Sequence, residues 1–216
     1  YYKNTGDLSY GFGLYAPFGM GVAWEDPETS PGRQISYDVN LQTVYFTPAI
    51  AMKMTDNIAL SVGADIAHTA ITLSKFTAIP FGGEMDMTNV IDAELTGDSD
   101  INITPVVSCM IKGLGALDIG IMYHHEKTMN IAEGELIMTN VAPAALAPAI
   151  DAQIAGLGGD TQYADTEFKL PHMLSLGAAW QATEKTRVEF NAVHFGWEHF
   201  DEIYLDFEND YLDQHV

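Results

Sequence analysis

Apolar and polar residues alternate along this chain with a period of two, over stretches longer than a strand in a water-soluble domain needs. Ile35, Tyr37, Val39 and Leu41 oppose Ser36, Asp38, Asn40 and Gln42. From Ile58 to Ile66, Ser61, Gly63 and Asp65 occupy the second face. Ile101, Ile103, Val107, Cys109 and Ile111 share a face, as do Leu117, Ile119, Ile121 and Tyr123. The pattern returns in Phe168–Trp180 and in Val188–Ala192. This period selects β-strands and disfavours helices. With the aromatic-rich segment from Leu8 to Trp24, it predicts about seven strands. Residues 34–54 and 58–76 could each hold one strand, whereas a globular strand is usually about 5–6 residues and a membrane strand about 9–11.

The connections alternate in length. Thr55-Asp56-Asn57, Gly113-Leu114-Gly115 and Thr183-Glu184-Lys185 read as tight turns. Between them lie long links at 25–33, 77–97 and 139–165. Short turns at one end and long loops at the other predict an antiparallel transmembrane β-barrel, with the short end periplasmic and the long end extracellular. The charge distribution agrees: 30 Asp and Glu against 9 Lys and Arg give −21. The acids crowd the links (Glu25, Asp26, Glu28; Glu84, Asp86, Asp92, Glu94; Asp151, Asp160, Asp165; Asp201 to Asp213) and avoid the apolar faces. A soluble β-sandwich with acidic loops is the alternative; strand length and loop alternation argue against it. With 47% hydrophobic and 18% charged residues, the chain is not a disordered acidic tail. Its charge disfavours nucleic acid. The one cysteine, Cys109, excludes a disulfide framework and a multi-cysteine zinc site. No apolar run is long enough for a transmembrane helix. No basic, then apolar, leader opens the sequence, so a signal peptide is absent or already removed. Seven strands do not close a single-chain barrel of the usual even number. Residues 1–216 therefore read as part of an outer-membrane barrel.

Two segments resemble the FadL/TodX family of outer-membrane transporters of long-chain fatty acids and hydrophobic compounds. One is Tyr10-Gly11-Phe12-Gly13-Leu14-Tyr15-Ala16-Pro17-Phe18-Gly19, followed by a loop and the strand ending Tyr45-Phe46-Thr47-Pro48-Ala49. The other runs from Leu170-Pro171-His172 through Trp180 and Thr183-Glu184-Lys185 to Trp197-Glu198-His199-Phe200-Asp201-Glu202. The resemblance implies a fourteen-stranded barrel plugged by an N-terminal hatch; hatch and C-terminal strands would lie outside this sequence. It also implies a kinked strand at Ala16, Pro17, Phe18 and Gly19, through which ligand leaves sideways into the membrane. Pro17 removes a ladder donor and Gly19 permits departure from strand geometry; an ordinary bulge or edge-strand proline is the competing reading.

Below Gln42, Val44, Phe46, Ile50 and Met52 occupy what had been the polar side, which predicts an apolar lumen suited to an alkyl chain. Met110 and Met122 share that parity, and methionine adapts to varied apolar shapes. Packing against a hatch is an equal and compatible explanation. Leu146, Ile150, Ile154 and Leu157, and likewise Met87, Val90, Ile91 and Leu95, recur at helical spacing. Two loop helices would form a capture groove, to which the family's surface groove corresponds, or would simply cap the barrel. Lys53, Lys75, Lys112, Lys169 and Arg187 are the lumen-side cations available to a carboxylate. Lys75, before Phe76, resembles a basic–aromatic strand ending of the family, while Ala70 and Thr72 stand where fatty-acid members carry deeper basic residues.

His124-His125-Glu126 offers two ligands per strand face, too few for a usual zinc site, and is read as polar strand-top residues. Phe195, Trp197, Phe200 and Tyr204 read as an aromatic girdle. No metal or cofactor is called for. The function expected is passive uptake of a hydrophobic small molecule, with lipid and lipopolysaccharide as surroundings and a monomeric complete barrel. The alternatives are an outer-membrane lipid hydrolase, which needs an outward Ser-His pair where Ser108 and Ser175 point inward, and a structural or adhesive barrel.

Overall fold

The computed structural model describes residues 1–81, 87–199, 204–209, 212 and 214–215. Its strands are β1 (Tyr2–Asn4), β2 (Leu8–Ala23), β3 (Asp38–Lys53), β4 (Ile58–Pro80), β5 (Met87–Asp98), β6 (Asn102–Leu114), β7 (Leu117–His124), β8 (Lys127–Asn140), β9 (Thr161–Leu170), β10 (Met173–Thr183), β11 (Thr186–Phe195), β12 (Tyr204–Phe207) and the two-residue β13 (Gln214–His215). One helix, α1 (Ala147–Gly156), lies between β8 and β9. Among the described residues no helix is long and apolar enough to cross a membrane. Crossing is left to the strands.

All strands belong to one antiparallel sheet. β4 carries two partners along one edge: β6 beside Ile58–Ala67 and β5 beside Ala70–Pro80. Its opposite edge pairs with β3 from Ala59 to Ser74. Continuing the same registers, β5 with β6, β7 with β8, β9 with β10 and β11 with β12 are the halves of single long strands. The architecture is thus a meander of seven long strands, as the alternation predicts, with tight turns where β3 meets β4, β6 meets β7, and β10 meets β11.

The interruptions lie at one level across the sheet: 99–101, 125–126, 171–172 and, after β11, 196–199. At that level β2 carries a bulge, where Tyr15 pairs with Tyr45 but Phe18 pairs with Thr43. The bulge in β2 and the breaks at 99–101, 125–126 and 171–172 change which parity faces inward. Tyr15 and Phe18, His124 and Lys127, and Leu170 and Met173 are successive inward residues three apart, where a regular strand would give two or four.

Below this level the strands are oily outside. Leu60, Val62, Val107, Ile121, Leu176, Trp180, Val188 and Phe190 are exposed on the convex face. Above it they are oily inside. Ile71, Leu95, Met129, Ile131, Leu136, Met138, Phe168 and Leu170 are buried, and the outward positions carry Asn130, Glu135, Asp165 and Glu167. The lower halves thus match a hydrocarbon environment and the upper halves water. Upper edges of the sheet meet through Phe18, whose ring lies 5.8 Å from Phe195 and 5.7 Å from Trp197 in edge-to-face contacts.

Two expectations are corrected here. The segment carrying Met87 and Ile91 is strand β5, not an amphipathic helix, and the long link expected at 77–97 is mostly paired strand. Thr77 pairs with Ile91 but Ala78 with Asn89, so Val90 is an extra residue in a bulge. Val90 and Ile91 are both buried, which produces the helix-like spacing. Glu84, Asp86 and Phe200 lie outside the described residues. The helix expected around 144–157 is present as α1, with Pro148 in its first turn and Ile150 and Ile154 buried.

Candidate functional site

The interior above the strand interruptions holds two apolar clusters. The upper one joins Val90, Ile91, Ala93 and Leu95 of β5, Leu136 and Met138 of β8, Ile150 and Ile154 of α1, and Leu205 and Phe207 of β12; Leu146 packs against it. The lower one joins Phe18, Tyr45, Ala67, Ile71, Met129, Ile131, Phe168, Leu170 and Met173. Leu73 packs against both, so a single apolar band runs from the helix at the extracellular end to Phe18 at the β2 bulge.

Of the candidate capture residues, Ile91, Leu146, Ile150 and Ile154 are brought together, as packed interior under a helix that caps the sheet. Met87 stands apart at the start of β5, where its carbonyl accepts a hydrogen bond from Arg33 at 3.0 Å. Lys75 is half-buried on the upper part of β4, and desolvation lowers the pKa of its ammonium.

Val44, Phe46, Ile50 and Met52 are a correction: all four are exposed on the convex, lipid-facing side, in line with Phe12, Leu14 and Val62. Their neighbours Thr43 and Tyr45 point inward and are fully buried. The parity of β3 never changes; its surroundings do. Val39 and Leu41 are apolar because they face the upper interior, and Val44 to Met52 because they face lipid. Met110 and Met122 do face inward, with Ser108, Gly120, Ser175, Gly177 and Asn191. They help line a hollow of about 630 Å³ in the lower lumen, where Arg187 bonds Glu189 at 2.8 Å.

At the bulge, Ala16 and Pro17 together oppose the single residue Val44, and pairing resumes at Phe18 and Gly19. β2 stays continuous with β3, so this irregularity opens no gap between them. Along the other edge of β2, β1 covers only Ser9 to Gly11. Phe18 is buried, while Ala16 and Gly19 are exposed.

Between the apolar band and the lower lumen sits a charged network missed by parity. Asp65 of β4 is fully buried. Its Oδ1 accepts from Thr47 at 2.5 Å and from the Tyr15 hydroxyl at 3.3 Å. Its Oδ2 accepts from Nδ1 of His124 at 2.8 Å and from Nζ of Lys127 at 2.9 Å. Lys127 also donates to the His125 carbonyl at 3.1 Å and lies 4.4 Å from the centroid of the Tyr45 ring. The strand expected through His124-His125-Glu126 stops at His124, which turns inward to join this network, while His125 stays exposed beside Tyr123. The signal available in the sequence was Asp65 itself, the one charged residue in the lower half of β4, Ile58 to Ala67.

The chain matches, over residues 1–215, the family described as outer membrane protein transport protein (OMPP1/FadL/TodX). No curated protein matches it. Among solved structures it is similar to a FadL homologue of Pseudomonas aeruginosa (TM-score 0.78, 18% identity, covering 94% of this chain and 48% of that one). It is also similar to the toluene transporter TbuX of Ralstonia pickettii (0.69, 13%, 100% and 59%) and to the toluene transporter TodX of Pseudomonas putida (0.62, 13%, 96% and 56%). The chain spans about half the length of these structures. With strands oily outward below, oily inward above and matched along nearly their whole course, this chain belongs to the OMPP1/FadL/TodX family of outer membrane transport proteins.

Proposed function

We propose that the protein mediates passive uptake of hydrophobic small molecules, long-chain fatty acids or hydrocarbons, across the outer membrane, and that it is not an enzyme. The observation that carries the reading is the apolar band, continuous from α1 to Phe18 through Leu73. A hydrophobic molecule gains roughly 0.8 kcal/mol per buried CH₂ on leaving water. A band of this kind lets it exchange one apolar contact for another without returning to water. Capture occurs near Ile91, Leu146, Ile150 and Ile154, holding occurs within the band, and Met110 and Met122 adapt to whatever reaches the lower lumen. Lys75 meets an acidic headgroup at the mouth. Exit is sideways at Ala16 to Gly19, where Phe18 belongs both to the interior cluster and to the bulge. The similar toluene transporters TbuX and TodX fit the same ligand class.

The test uses the full-length protein in cells, with labelled dodecane and dodecanoate, measuring uptake and surface binding separately. Cells carrying the protein should take up at least one of the two faster than cells lacking it; no difference for either would refute uptake. Deleting Ala16 and replacing Pro17 by Val should restore one-to-one pairing of β2 with β3. Uptake should then fall by about tenfold while surface binding persists. Unchanged uptake would refute an exit at this bulge.

A further inference from the structure

The Asp65–Lys127 pair bears on which hydrophobic molecules the interior accepts, an inference that rests on the uptake reading above. Lys127 is the one lysine or arginine among the described residues that is buried, at 1% exposure. An ammonium in an apolar interior would ordinarily be the anchor for a carboxylate ligand. Here two of its three N–H groups and its charge are already engaged. One N–H goes to Asp65, one to the His125 carbonyl, and the Tyr45 ring face lies beside the charge. Asp65 is saturated in turn, each oxygen taking two donors. A second carboxylate entering this part of the interior would have to displace Asp65, leaving a buried anion without its cation, or remain uncompensated itself; both are strongly unfavourable.

The polar atoms that do lack partners are neutral. The Tyr45 hydroxyl is fully buried with no hydrogen-bond partner, and so is the Thr104 hydroxyl, on the residue paired with Asp65 across β4 and β6. A buried hydroxyl can donate to, or accept from, an uncharged group. We propose that Asp65 is a selectivity residue: by closing the Lys127 ammonium into a charge-balanced network, it makes the interior accept hydrophobic molecules whose polar end, where they have one, is uncharged, and reject carboxylates. The unpartnered Tyr45 hydroxyl is the hydrogen-bonding point for such a group.

The experiment measures binding of dodecane, dodecan-1-ol and dodecanoate to purified full-length protein in a non-ionic detergent at pH 8, where the acid is ionised. The native protein should bind dodecan-1-ol at least tenfold more tightly than dodecanoate. Equal affinities would overturn the proposal with no variant needed. Asp65→Asn frees the ammonium and should raise the ratio of dodecanoate to dodecan-1-ol affinity at least tenfold; adding Lys127→Met should abolish that rise. An unchanged ratio in a folded Asp65→Asn protein would overturn the proposal. Binding of none of the three ligands would instead sink the uptake reading, so the two failures are distinct.

Discussion

Replacing Lys127 by Met keeps the length and apolar stem of the side chain and removes only its charge. At 2.9 Å, two unit charges in a medium of effective dielectric 20 attract by about 6 kcal/mol, and the cost of taking both out of water offsets much of this. Asp65 would keep His124, Thr47 and Tyr15 as donors but lose its full counter-charge. Breaking a buried pair from one side typically costs about 3–5 kcal/mol, and that is the expected loss for Lys127→Met. Asp65→Asn in the same protein removes the stranded anion, so the double variant should be more stable than Lys127→Met alone. The coupling energy should reach at least about 2 kcal/mol. The assay is urea unfolding of the full-length protein in phospholipid vesicles, followed by tryptophan fluorescence and by the mobility difference between folded and unfolded barrel on a gel. Two substitutions whose costs simply add within about 0.5 kcal/mol would refute the network as described.

Gly63 approaches β3 so closely that an added Cβ would lie 2.5 Å from the Pro48 carbonyl oxygen and 2.9 Å from the Ala49 Cβ. Gly63→Val should destabilise the folded barrel by at least about 2 kcal/mol in the same urea assay, whereas Gly21→Ala, with open space around it, should leave the midpoint within error. Tyr37, at the entrance to β3, donates to Asp92 at 2.8 Å, and burial first, then Asp92, pushes its pKa up to about 12. Because the folded value lies above the unfolded one, this contribution to stability is complete below about pH 10 and disappears as the pH rises towards 12. Tyr37→Phe should flatten the pH dependence of the unfolding midpoint in that window. An unaltered slope would refute it.

Strand number, strand order and the tight turns were legible because a two-residue period needs no knowledge of surroundings. Which face was which was not. Val44 to Met52 and Val39 to Leu41 look like one strand that changes its mind, when a constant backbone passes from lipid into water. The period records a contrast between faces and not which face is inside. Bulges caused the other misreadings. The extra Val90 gave β5 the spacing of a helix, and the break at 125–126 moved Lys127 onto the inward side. A bulge is set by pairing with another strand, so single-strand periodicity does not reveal it. The apolar positions of α1 were legible at helical spacing, and the structure adds that Ile150 and Ile154, with Leu146 against them, are packed together rather than lying open.

The bulges at one level also say how such a chain can change length. A residue gained or lost within a lower strand half would turn every side chain beyond it to the opposite face, exchanging oil for water along the wall. At 15–18, 124–127 and 170–173 the strands already carry a half-step, so a single insertion or deletion there is absorbed locally, at the cost of one side chain. Divergence in length should therefore collect along this seam and at the hairpin tips. Elsewhere residues should be gained or lost in twos.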